Sequence, residues 1–174
     1  MSRTISDRSR RRLHEAEGYL ELDLPQHALQ ILESRRDWPG LQFEACLIHG
    51  EALRRLDRYR EAIAPLEIAS TLRPDDTRVA LALGWCFKRS NRLAQAIDAL
   101  ERVRRHHPDN SLLHYNLACY WSLAGNADRA LEELRAALSL EPDLRIQVAG
   151  EEDFRRLRGI PAFEELVAGP MHKP

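Results

Sequence analysis

The side chains best equipped for chemistry in this chain are its histidines, its cysteines and a few paired carboxylates, and their spacing decides what they can do. His106 and His107 stand together before Pro108. Adjacent side chains point in different directions and no third ligand lies near, so no metal site is expected. Cys46, Cys86 and Cys119 are 40 and 33 positions apart, which suits neither a disulfide framework nor a zinc motif. They read as small apolar core residues of a reducing compartment, with Cys119 expected to be partly exposed. His49 and His114 fall in core slots, as packing residues rather than bases. Glu132-Glu133 and Glu164-Glu165 read as solvated faces. There is no glycine-rich phosphate loop, no His-Glu-x-x-His, no Cys-x-x-Cys and no Gly-x-Ser-x-Gly. The sequence therefore predicts no enzyme, no catalytic residue, no bound metal and no cofactor.

The bulk properties narrow the remaining classes. Over 174 residues, 44% are hydrophobic and 30% charged, the balance of an ordinary globular chain rather than a disordered one. Twenty-six basic side chains against 27 acidic ones leave a net charge of −1, so no global field draws the chain to nucleic acid or to an anionic membrane. The longest apolar run, Val79 to Phe87, is about half of the roughly 20 residues a membrane-spanning helix needs. Residues 1–12 hold Arg3, Arg8, Arg10, Arg11 and Arg12 but lack the apolar core of a secretory signal. A cytoplasmic location is expected. A nucleic-acid-binding arm is the sharper reading of these arginines, since clustered arginine neutralises backbone phosphates, but no aromatics interleave with them for base stacking. A solvated, frayed start is the reading favoured here.

The main signal is internal repetition. Pro74, Pro108 and Pro142 follow one another at steps of 34 residues. Ala62, Ala96 and Ala130 precede them in register, as do Leu66, Leu100 and Leu134, and before those Gly50, Gly84 and Ala118. Extending the register backwards finds Ala16, Tyr19, Ala28, Leu29 and Leu32 in an eroded first unit. Each unit carries two amphipathic stripes, such as Val79, Leu83, Cys86 and Phe87, then Leu93, Ala96, Ile97, Leu100 and Val103. The break between stripes falls on Asp23, Asp57, Asn91 and Gly125, residue types that end helices in the left-handed conformation. Between units, proline stops one helix and a following Asp or Asn caps the next. Small residues at the eighth and twentieth positions mark where two helices of a hairpin approach most closely.

This spacing resembles the tetratricopeptide repeat. The third unit fits best, through Leu83-Gly84, Phe87, Ala96, Leu100 and Pro108. The fourth follows through Leu117-Ala118, Trp121, Ala130, Leu134 and Pro142, and the second through Gly50, Leu53, Ala62, Leu66 and Pro74. In the first, Arg12 and Glu15 take apolar slots and Gly40 replaces the proline. The resemblance implies an all-α, right-handed superhelical solenoid of antiparallel helix pairs. The expected organisation is a flexible basic start at 1–8 and an array over 9–142, with units at 9–42 (degenerate), 43–76, 77–110 and 111–144. A helical cap at 143–169 and a disordered tail at 170–174 follow. The cap is expected to cover the apolar end of the fourth unit, with occupation of the concave groove as the alternative.

The resemblance also implies where a partner would bind. Positions 2, 5, 9 and 12 of each first helix line the concave groove in this family. Here they supply Arg10, Leu13, Glu17 and Leu20, then Glu44, Leu47, Glu51 and Arg54, then Arg78, Leu81, Trp85 and Lys88, then Leu112, Tyr115, Cys119 and Ser122, with Asn116 beside them. Such a stripe suits a peptide segment of another protein with apolar anchors and an acidic flank. Glu17 and Glu51 would repel a terminal carboxylate, so the clamp that some family members use on acidic C-terminal tails is not expected. At position 5 the competing reading is plain packing between neighbouring first helices. The function expected is a non-enzymatic adaptor. A self-assembling scaffold, hence a homo-oligomer, and a small secretion-type chaperone are the alternatives. Nucleic acid and membrane are not expected partners.

Overall fold

The structure is a computed structural model that describes residues 7–35 and 37–169. Among them are ten α-helices and no strand: α1 (Asp7–Glu21), α2 (Pro25–Glu33), α3 (Gln42–Arg55), α4 (Tyr59–Leu72), α5 (Thr77–Arg89), α6 (Leu93–Arg104), α7 (Ser111–Leu123), α8 (Ala127–Leu140), α9 (Arg145–Gly150) and α10 (Pro161–Ala168). Two 3₁₀ turns, Pro142–Leu144 and Glu152–Phe154, flank α9. The chain divides into two compact units, one ending at Arg92 and the other beginning at Leu93.

The four expected breaks are where the helices stop, and each stops the same way. Asp23, Asp57, Asn91 and Gly125 have φ of 55°, 59°, 62° and 80°. After each, the next residue's N–H reaches back five positions: Leu24 to Tyr19 O, Arg58 to Leu53 O, Arg92 to Phe87 O and Asn126 to Trp121 O. The left-handed residue itself donates three positions back, as Asp57 does to Arg54 O at 3.1 Å. These paired bonds form the Schellman motif, which satisfies carbonyls a helix end would otherwise leave bare. Helix starts are also built from local chemistry. Asp76 accepts from Arg78 N and Val79 N, Asn110 from Leu113 N and Asn126 from Arg129 N.

In the first unit α1 packs on α2 and α3 on α4, with α3 also against α1, α2 and α5. The eighth and twentieth positions of each repeat are where the sequence places the closest approach. Ala16, Ala28 and Ala62 are fully buried, and a Cβ added to Gly50 would lie 2.3 Å from Leu66 Cγ. Only a missing side chain allows that contact. Trp38, outside any helix, is also buried, beneath the Arg35 guanidinium. In the second unit α7 packs on both α6 and α8, and Ala118, Ala130, Leu113, Leu117 and Leu134 are fully buried between them.

One boundary and one surface differ from expectation. Asp7 and Arg8, assigned to a flexible start, form the first turn of α1, where the Asp7 carboxylate meets the positive end of the helix dipole. Residues 1–6 and 170–174, the remainder of the expected flexible ends, lie outside the described residues. Glu133, read as part of a solvated face, is 3% exposed. Its Oε2 accepts from His114 Nδ1 at 2.6 Å, and Arg104 Nε stands 3.5 Å from Oε1. The physical reason is helical phase, since Glu133 falls between Ala130 and Ala137 on the inner stripe of α8.

Candidate functional site

The expected groove stripe is best assessed within each unit. In the first unit, α1, α3 and the start of α5 bring Arg10, Leu13, Glu17, Glu44, Leu47 and Arg78 around one recess of 180 Å³. These are the residues that sequence spacing placed on the stripe. Leu41, Phe43, Ile48 and His14 complete the lining; sequence reasoning missed them because three belong to helix faces assigned to the core or to solvent and one to a loop. Phe43 is buried, and the Arg73 guanidinium lies 3.7 Å from its ring centroid while bonding Glu44. A cation held over an aromatic face in this way stays close to its partner carboxylate.

Charges along the stripe are largely matched internally. Arg54 makes a bidentate pair with Glu51, its Nη2 at 2.7 Å from Oε2. Burial disfavours the Arg54 cation, yet the Glu51 carboxylate more than restores it, so its pKa rises above the ordinary value. Arg78 bonds Asp76 at 2.8 Å, which likewise raises the arginine and holds the Asp76 carboxyl below its ordinary value despite its partial burial. Trp85 is 37% exposed, with Lys88 Nζ 5.1 Å from its ring centroid. Leu81 is half-buried. Leu47 is buried, as packing between neighbouring first helices requires. Cys86, next to Trp85 on α5, is buried, and desolvation pushes its thiol up to about 12.

In the second unit the stripe on α7 is occupied by the chain itself. Phe154 is fully buried and meets Tyr115 edge to face, with ring centroids 5.9 Å apart and planes at 88°. The Tyr115 hydroxyl donates to Glu151 at 3.4 Å, and Ser122 Oγ donates to the Asp153 carbonyl at 2.7 Å. Burial, with acidic neighbours, raises the Tyr115 pKa. Cys119 was expected to be partly exposed, but it is 3% exposed, so it offers no reactive thiol. Asn116 spends its amide on Leu112 O of its own helix at 2.8 Å. Only Leu112, at 49%, stands open. The sequence carried this outcome only faintly, as the aromatic and acidic run Glu151 to Phe154 just after the array leaves register. Leu144, Val148, Leu157 and Phe163 are buried with Phe154, and its ring lies 5.8 Å from that of Phe163.

Among the described residues no group of three His, Cys, Asp or Glu side chains gathers in a way that could hold a metal ion. None of the helices is long and apolar enough to cross a membrane.

Comparison with known proteins places this geometry. Residues 53–120 match the family model of the tetratricopeptide repeat. No curated protein matches the chain. Among solved structures, MamA of Desulfovibrio magneticus RS-1, from its residue 41 on, superposes with a TM-score of 0.72 at 18% identity over 95% of this chain and 96% of that one. MamA of AMB-1 gives 0.70 at 21% identity over 91% and 90%. YrrB, described as a tetratricopeptide-repeat protein with an unusual peptide-binding site, gives 0.68 at 20% identity over 78% and 70%. At these identities the likeness concerns the fold. Residues 53–120 of this chain thus match the tetratricopeptide repeat, with the left-handed stops at Asp57 and Asn91 inside the match, and the chain shares the fold of these solved structures.

Proposed function

We propose that this chain is a non-enzymatic adaptor that holds a peptide segment of another protein against the groove stripe of its first unit. One observation carries the reading. The recess lined by Leu13, Phe43, Leu47 and Ile48 joins apolar walls to Arg10 and Arg78 at a point where three consecutive first-helix elements meet. An apolar anchor with an acidic flank satisfies both features, and a scaffold whose side chains are fixed before binding leaves most of the ordering cost to the ligand. The exposed Trp85 ring supplies a second anchor point on α5. The α7 stripe contributes less than its spacing suggested, because Tyr115 and Ser122 are engaged by residues 151–154.

The test is selection of peptides on the full chain from a displayed library, followed by binding to Trp85→Ala and Arg78→Glu. Both positions are exposed, so the fold should survive. Selected peptides should carry large apolar residues beside Asp or Glu and bind each variant at least tenfold more weakly. Peptides that bind the variants as tightly as the parent chain would refute the groove.

A further inference from the structure

Away from the groove, the first helix pair carries a recess lined by Arg8, Arg12, Ser34 and Arg35, three guanidinium groups with no carboxylate among them. Arg8 and Arg12 are one turn apart on α1 and project from one face. Arg35 arrives from just beyond α2 and is held in place. Its Nη1 donates to Ser9 Oγ at 2.9 Å, and its guanidinium carbon lies 5.1 Å from the Trp38 ring centroid. Ser9, at 2% exposure, is one of the few buried polar side chains among the described residues, and this bond satisfies it. The rotamer freedom that an arginine would surrender on binding a ligand is thus already surrendered in folding. Arg12 touches Glu15 at 3.1 Å, but both are about two-fifths exposed, where such a pair exchanges readily with solvent. Ser34 donates its hydroxyl to Ile31 O at 2.6 Å, so the free donors of the recess are the guanidinium forks.

Converging guanidinium forks match the oxygens of a phosphoryl group in charge and in geometry. We propose that Arg8, Arg12 and Arg35 bind a single phosphoryl group carried by a side chain of a partner protein. A nucleic acid fits less well. The chain's net charge of −1 gives a polyanion no long-range attraction, and no aromatic ring lines the recess for a base to stack on. The assignment to a protein partner rests on the adaptor reading, whereas the oxyanion chemistry stands on the recess alone.

The experiment follows the arginine Nε–H resonances of the full chain by NMR while N-acetyl-phosphoserine methylamide is added. Saturable shifts at Arg35 and Arg8 are expected. Arg8→Gln and Arg35→Gln should each weaken binding at least tenfold, and Arg102→Gln on α6 should leave it unchanged. Because Arg35→Gln also removes the bond to Ser9, the exposed Arg8→Gln keeps the test independent of folding. N-acetyl-glutamate methylamide should bind at least tenfold more weakly than the phosphorylated probe. Inorganic phosphate binding in place of that probe would overturn the partner assignment and leave a free-phosphate site. Tighter binding of an oligothymidylate, falling steeply with salt, would overturn it in favour of nucleic acid. No saturable shift with any of these probes would overturn the recess itself. None of these readouts involves the groove, so failure here and failure of the peptide site are separable.

Discussion

His114 and Glu133 meet at 2.6 Å with both side chains out of water, and the other ring nitrogen of His114 reaches the Pro108 carbonyl at 2.8 Å. Nineteen residues separate the two in sequence, and the contact ties α7 to α8 and to the turn that precedes α7. Removing one partner of a buried pair leaves the other without compensation. Glu133→Ala should cost about 3–5 kcal/mol of stability in urea unfolding. The paired change His114→Leu with Glu133→Leu should cost less than Glu133→Ala alone, because the imidazole is no longer left buried without its carboxylate, although Arg104 Nε and the Pro108 carbonyl each lose a neighbour. Equal losses would show that the pair acts through packing.

Gly50 and Leu66 set the closest approach of α3 to α4. Gly50→Ala adds a methyl group that must displace the fully buried Leu66, at an expected cost of about 1–3 kcal/mol even though alanine favours helix. Leu66→Ala alone should cost about 2–5 kcal/mol. Thermal melts of the double variant should show less than the sum, since the smaller residue 66 accommodates the new methyl.

His49 is half-buried on α3, and its pKa lies below the ordinary value of 6.5 because burial penalises the charged ring, with Arg58 adding to this and Glu33 opposing it. A group with a depressed folded pKa binds its proton more readily in the unfolded chain. Its stabilising contribution is therefore complete above pH 6.5 and declines as pH falls toward the folded value. Urea midpoints between pH 7.5 and pH 5 should fall more steeply for the parent chain than for His49→Gln. Parallel curves would remove His49 from the explanation.

Phe154 is the plug of the second unit, fully buried with Tyr115 on one side and Phe163 on the other. Phe154→Ala should cost about 3–5 kcal/mol by calorimetry or urea unfolding. It should also release Tyr115, which tyrosine fluorescence quenching by acrylamide would report as greater accessibility. A stable variant with Tyr115 still shielded would mean that the remainder of residues 143–169 holds the segment in place.

The array was legible because its information is periodic. Proline, small residues and left-handed stops recur every 34 positions, and Asp23, Asp57, Asn91 and Gly125 adopt the backbone that their side chains suggested. What escaped was aperiodic or depended on a distant partner. Glu133 was assigned to solvent by residue type, although its place between Ala130 and Ala137 put it on the inner face, and a histidine in the aromatic slot at 114 already required an acceptor. Trp38 lies two positions before Gly40, which stands where the first unit has lost its proline. Cys119 and Tyr115 were placed on the right stripe, but nothing in the register announced that residues 151–154 would cover it. On the first unit Arg10, Leu13, Glu17, Glu44, Leu47 and Arg78 line one recess.

A repeat protein is in principle an open-ended polymer, because each unit leaves a face that only another unit can cover. Phe154 and its neighbours close that face with a segment that has no register of its own, and so act as a chain terminator. A fifth repeat spliced ahead of Pro142 would inherit the terminator, whereas one appended after Gly169 would find its docking face already filled.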